Sequence, residues 1–153
     1  MILNTPEIHF SGYFDFILLR NKFFIEISLL LYLNINNSIG TNNSRIEAMK
    51  RKTEIITKLI RKKVSEIDPQ AQVILFGSRA RGDERIDSDW DVLILTEYSI
   101  DIEKENQFRN HLYDIELETG EPISLFAYSK ADWNTKQRIS PFYANVRKEG
   151  ISL

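Results

Sequence analysis

The residue types and spacings that can do chemistry lie in one stretch, FGSRARGDERIDSDWDVLIL, residues 76–95. Gly77-Ser78 follows a short apolar run, and the missing Cβ at Gly77 lets a ligand approach the backbone closely. If a helix opens at Ser78, its unpaired first-turn N–H groups and the Ser78 hydroxyl form a pocket suited to phosphate. Ten residues separate Ser78 from Asp89, and Asp89 and Asp91 flank Trp90. On a strand, residues i and i+2 face the same side, so the two carboxylates point one way and Trp90 the other. Adjacent carboxylates repel each other, and a hard divalent cation such as Mg2+ relieves that repulsion while taking phosphate and water oxygens as well. A phosphate cradle beside a carboxylate pair describes metal-assisted phosphoryl or nucleotidyl transfer. Gly-Ser alone is a common turn and Asp-X-Asp alone a common strand end. The reading rests on finding both in one segment, each with a buried strand at hand.

The elements that must position these groups read as follows. From Ile46 to Ile67, Met49, Ile56, Leu59, Ile60, Val64 and Ile67 recur at steps of three and four, the mark of an amphipathic helix. Asn43 or Ser44 is its expected cap and Asp68-Pro69 its stop. Its outer face carries Lys50, Arg51, Lys52, Lys58, Arg61, Lys62 and Lys63, a solvated face or a surface for an acidic partner. Val73–Phe76 and Trp90–Thr96 are nearly continuous apolar runs, as strands buried on both faces are. Asp101 to about Thr119 predicts a helix capped by Asp101, with Phe108, Leu112 and Ile115 inward and Gly120 at its end. The alternation in YDIELE leaves a strand open there. PISLFAY predicts a third strand, Ser129 caps a short helix through Asp132 and Trp133, and Ser140-Pro141 starts a last helix that closes at Gly150. Helix, strand, strand, helix, strand, helix is a small α/β domain with a mixed sheet of three to four strands.

Composition narrows the functions. The chain has 153 residues, 20 Lys and Arg against 22 Asp and Glu, two His and no Cys. Thiol catalysis, Cys/His zinc sites and disulfide scaffolds are excluded. A net charge of -2 argues against bulk electrostatic binding of nucleic acid. The composition also breaks near residue 48. Residues 1–48 hold only seven charges and five of the nine Phe. Asp15, Arg20, Lys22 and Glu26 interrupt the apolar stretch there, and its longest pure run, Leu29–Leu33, is far below the roughly 18–20 residues of a membrane span. No basic start or small-residue cleavage site marks a secretory signal. Residues 1–48 are thus an extension of open status: membrane-associated, packed on the domain, or an upstream region ahead of a domain that begins at Met49.

The run Gly77, Ser78, ten residues, Asp89, Trp90, Asp91 resembles the signature of the nucleotidyltransferase superfamily related to DNA polymerase beta. The fuller string GSRARGDERIDSDWDVLIL is similar to its minimal bacterial and archaeal branch, the MNT proteins. The resemblance runs from about Met49 to the C-terminus, including EIDPQAQVILFGSRARGD and PFYANVRKEG. It implies a small nucleotidyltransferase fold over 49–153, with Gly77 and Ser78 on the nucleotide phosphates and Asp89 and Asp91 on Mg2+. Arg79 and Arg81 follow the cradle, where they either reach phosphate oxygens or pair with Asp83, Glu84 or Asp87. Ser88 braces the turn before Asp89, and Trp90 reads as core rather than as a nucleotide stacker.

One departure stands out. Active members carry a third acidic residue on a neighbouring strand, as general base or metal ligand. Here Ser124 holds that slot, and a hydroxyl is a poor base and a weak Mg2+ ligand. Glu116, Glu118 and Glu121 are the acidic residues that could stand in, or they are simply a charged helix end. The resemblance implies transfer of an NMP, AMP by preference, from an NTP such as ATP to a hydroxyl acceptor. A domain this small has no room for an acceptor domain, so the acceptor belongs to a second chain. By resemblance that chain is a helical HEPN protein, an RNase toxin, with this chain as the cytoplasmic antitoxin of the pair. A binding module without turnover is the alternative, and a homo-oligomer stays open. An aminoglycoside-modifying transferase is disfavoured, because no second domain is present to bind the drug.

Overall fold

A computed structural model describes residues 42–85 and 87–153, together with residues 25 and 29. The readings of residues 1–41 lie outside the described residues, apart from those two helical positions. The chain divides into two compact units, Met1–Met49 and Lys50–Leu153.

Helix α1 spans Asn42–Ile67. It starts earlier than the apolar pattern predicts, since no glycine or proline interrupts Asn42–Ile67, and Asn43 and Ser44 lie inside it rather than at its cap. Its end is where expected: Asp68 N–H bonds the Val64 carbonyl, and the Asp68 carboxylate accepts from Gln70 N–H to turn the chain at Pro69. Strand β1 (Gln72–Phe76), the single-turn helix α2 (Gly77–Arg81) and strand β2 (Trp90–Thr96) follow. Helix α3 covers Ile102–Thr119, so the alternation in YDIELE is helical. Asp101 accepts from Lys104 N–H at its start, and Gly120 takes the left-handed conformation at its end. Strand β3 (Ile123–Ser129) leads into α4 (Lys130–Thr135), capped by Ser129, and α5 (Pro141–Glu149), capped by Ser140. A two-residue strand β4, Ile151–Ser152, closes the chain.

The four strands form one mixed sheet in the order β3-β2-β1-β4. β1 runs antiparallel to β2 with Phe76 opposite Asp91, and β2 runs parallel to β3 with Asp91 opposite Ser124. β4 adds to the free edge of β1, with Leu75 opposite Ile151. Alternation along the strands sorts the core into two layers. Leu93 and Leu95 cluster with Phe76, Trp133 and Val146, against which Ile74, Tyr128, Phe142 and Tyr143 pack. Trp90, Val92 and Ile94 point to the other face, left to the buried stripes Ile56, Leu59, Ile60 and Val64 of α1 and Phe108, Leu112 and Ile115 of α3.

The basic face of α1 differs from its sequence reading. Lys52 pairs with Glu121 and Lys63 with Asp114, both ammonium groups largely covered, so these two are structural cations rather than part of a solvated face. Lys58 pairs with Glu54 along the helix. Among the described residues, no helix is long and apolar enough to cross a membrane.

Candidate active site

The end of β1, the starts of β2 and β3 and the last residue of α5 converge on one corner of the sheet. Gly77 turns the chain out of β1 with φ of 74°, a left-handed conformation that a side chain would strain. Space demands glycine there as well. A Cβ on residue 77 would stand 2.1 Å from Asp91 Oδ2 and 3.0 Å from its carboxyl carbon. The Gly77 turn and the Asp91 carboxylate are therefore built in contact, although 14 positions apart in sequence.

Asp91 is half-buried, and its carboxyl is pushed above the usual carboxylate range. Burial is the main cause, the Asp89 charge adds to it, and the charges of Arg81 and Arg79 oppose it. Asp89 is exposed just before the strand, and its Oδ2 accepts from Ser124 Oγ at 3.0 Å. Two neighbouring hard carboxylate donors fit a divalent cation that brings the rest of its shell from phosphate and water. Among the described residues no group of three acidic or His side chains gathers into a cation site.

The other candidates fall into three places. Arg79 turns away from the cradle: its Nε and Nη2 donate to the Ser88 carbonyl at 3.0 and 2.6 Å, and Nη2 also donates to Glu121 Oε2 at 3.0 Å. Its ion-pair partner is thus Glu121, not Asp83, Glu84 or Asp87. Trp90 is fully buried, which agrees with its reading as core, and its Nε1 donates to the same Glu121 oxygen at 3.0 Å. Arg81 points the other way, with its Nη1 within 3.0 Å of both Glu149 oxygens and its Nε on Asp83. Ser88 braces the turn through Oγ, which accepts from Arg85 N–H.

None of the three acidic stand-ins joins the pair. Glu116 Oε1 accepts from Ile123 N–H, Glu121 is enclosed by Lys52, Arg79 and Trp90, and Glu118 is exposed on α3. The acidic residue that does stand near Asp91 is Glu149, which sequence reasoning missed. Its Oε1 accepts from Gly77 N–H at 3.1 Å, and its charge helps raise the Asp91 carboxyl. The first N–H of the Gly77 turn therefore already holds an anion, the protein's own. The one signal in sequence was the Glu149-Gly150 pair closing α5.

Residues 54–141, more than half of the chain, match the family model for polymerase beta nucleotidyltransferases. The chain belongs to this family. The chain is also similar to a crystal structure of a toxin-antitoxin with AMP-PNP, with a TM-score of 0.45 and 17% identity over 62% of this chain and 69% of that one. No curated protein matches the sequence. Its fold is that of a nucleotidyltransferase, with the carboxylate pair and the glycine turn in contact at one corner of the sheet.

Proposed function

We propose that this nucleotidyltransferase moves AMP from ATP onto a hydroxyl of a second protein chain, the acceptor oxygen bonding the α-phosphorus and losing its proton as pyrophosphate leaves, with Mg2+ held by Asp89 and Asp91. The observation that supports this reading is the contact of Gly77 with Asp91, which brings the glycine turn beside one carboxylate of the Asp89–Asp91 pair. Mg2+ would neutralise charge on the triphosphate and polarise the transferred phosphoryl group. The chain's own residues do the rest. Gly77 makes room for the Asp91 carboxylate beside the turn, and the Ser78 hydroxyl has the chemistry to donate to a phosphate oxygen. Arg81, about half exposed, supplies a guanidinium that can exchange Glu149 and Asp83 for phosphate. Ser124 donates to Asp89 Oδ2 and restrains that carboxylate.

Residues 49–153 form the working unit in this reading, and the acceptor hydroxyl comes from another chain. The sequence resemblance to the MNT branch supports a HEPN-type helical toxin as acceptor and this chain as its cytoplasmic antitoxin. Ser124 favours a second reading, because the position opposite Asp91 carries a hydroxyl in place of an acid. A chain built so could bind nucleotide or partner without turnover.

One experiment separates the two. The chain is incubated with α-phosphate-labelled ATP, Mg2+ and the product of the adjacent open reading frame. The transferase reading expects label on that partner, abolished by EDTA and by the double variant D89N/D91N. Neutralisation of the partner without label, persisting in the double variant, would establish the binding module and overturn the transferase.

A further inference from the structure

Behind the carboxylate pair lies a largely covered polar cluster that turns away from the Gly77 cradle. Both Glu121 oxygens are taken: Oε1 by Lys52 Nζ at 2.5 Å, and Oε2 by Arg79 Nη2 and Trp90 Nε1, each at 3.0 Å. The Arg79 guanidinium also stacks 4.2 Å above the Trp90 ring. Arg79 is 7% and Glu121 9% exposed, so neither charge has water to replace a lost partner. For Glu121 to reach a metal it would have to abandon both cations, and it is not a ligand.

The use of the cluster lies in where its third contact falls. Two Arg79 nitrogens converge on the Ser88 carbonyl oxygen. That carbonyl belongs to the peptide unit whose nitrogen is Asp89's, and the unit is planar, so holding the oxygen fixes the backbone entering Asp89. From the other side, Trp90 N–H bonds the Pro122 carbonyl, next to Glu121. The segment Ser88–Trp90 is thus gripped on both sides of Asp89.

We infer that Arg79 and Glu121 are positioning residues that set the aim of the Asp89–Asp91 carboxylate pair through the Ser88 carbonyl. The inference rests on the reading of that pair as metal-binding. Groups that orient metal ligands from behind change metal affinity about 10–100-fold when removed.

The test measures Mn2+ binding to the full chain in the presence of ATP by water-proton relaxation, with the thermal melt of each variant recorded alongside and D89N/D91N as blank. R79K cannot make the forked contact to Ser88, and E121Q keeps an acceptor for Trp90 while losing the charge that orients Arg79. Trp90→Phe removes one hydrogen bond of the cluster but leaves Arg79 on Ser88. Mn2+ affinity is expected to fall 10–100-fold in R79K and E121Q and less than tenfold in W90F, even where W90F melts as early as they do. Folded R79K and E121Q proteins that bind Mn2+ as tightly as the wild type would overturn the inference. So would a loss in W90F equal to theirs, which would make the cluster a matter of stability alone. No wild-type binding above the blank would overturn the metal reading itself, and this inference with it.

Discussion

Arg79 and Arg81 stand two residues apart in the same helical turn, and about 200° of rotation separates their directions. Arg79 enters a covered cluster with Glu121, Lys52 and Trp90, whereas Arg81 reaches Glu149 and Asp83 at the surface, 44% exposed against 7% for Arg79. Both pairs hold an arginine on a carboxylate brought from far along the chain, and both flank the Asp89–Asp91 pair. Their physics differs because their solvation differs. A covered ion pair is hard to break, since each charge left behind has no water, while an exposed pair exchanges partners at little cost. One corner of the sheet thus has a fixed, covered side, inferred above to hold the carboxylates in place, and an exchangeable side open to solvent.

The strongest way to break the contrast is to remove the carboxylate from the fixed side. Glu121→Ala strands the Arg79 and Lys52 charges and the Trp90 indole N–H together. A loss of about 3–5 kcal/mol of unfolding free energy is expected, read as the shift in urea midpoint at unchanged slope. A loss below about 1 kcal/mol would mean that the cluster behaves as a surface pair and that the two sides are alike.

Gly77 joins the two sides and comes next in size. Gly77→Ala forces a side chain into the left-handed region, at about 1–3 kcal/mol, and drives its Cβ into the Asp91 carboxylate. Asp91 must shift, so nucleotide and Mn2+ binding should fall together with stability. Calorimetric titration with Mn2+ and ATP checks this. Retained binding in a folded Gly77→Ala protein would separate the glycine turn from the carboxylate pair.

Much of this corner was legible from sequence because its signals are local. Asp89-Trp90-Asp91 declares its facing by alternation, and Asp101, Gly120, Ser129 and Ser140-Pro141 mark helix ends by chemistry acting within three or four residues. The ion-pair partners were not legible. Arg79 lies 42 residues from Glu121, with Asp83, Glu84 and Asp87 nearer in the chain, and a five-residue helix gives no face pattern to choose among them. Glu149 is 68 residues from Arg81 and 72 from Gly77, and reaches them only because α5 ends against the cradle. β4 pairs through its backbone on an edge, which side-chain patterns do not announce.

The smallest change in stability should bring the largest gain in ligand binding, at Glu149. Its carboxylate sits on Gly77 N–H and on Arg81, the same donors a nucleotide phosphate would use. Glu149→Gln keeps the size and an acceptor oxygen but removes the charge, and with Arg81 nearly half exposed the loss in stability should be about 0–1 kcal/mol. An incoming phosphate then competes with a neutral amide rather than a carboxylate, and one negative charge near Asp91 is gone. ATP affinity in the presence of Mg2+ should rise severalfold by calorimetric titration. The opposite result is equally informative. If ATP and Mn2+ both bind more weakly in Glu149→Gln, the carboxylate is working with Asp89 and Asp91 as the acidic group that Ser124 does not supply, and the exchangeable side of the corner is part of the metal site rather than its competitor.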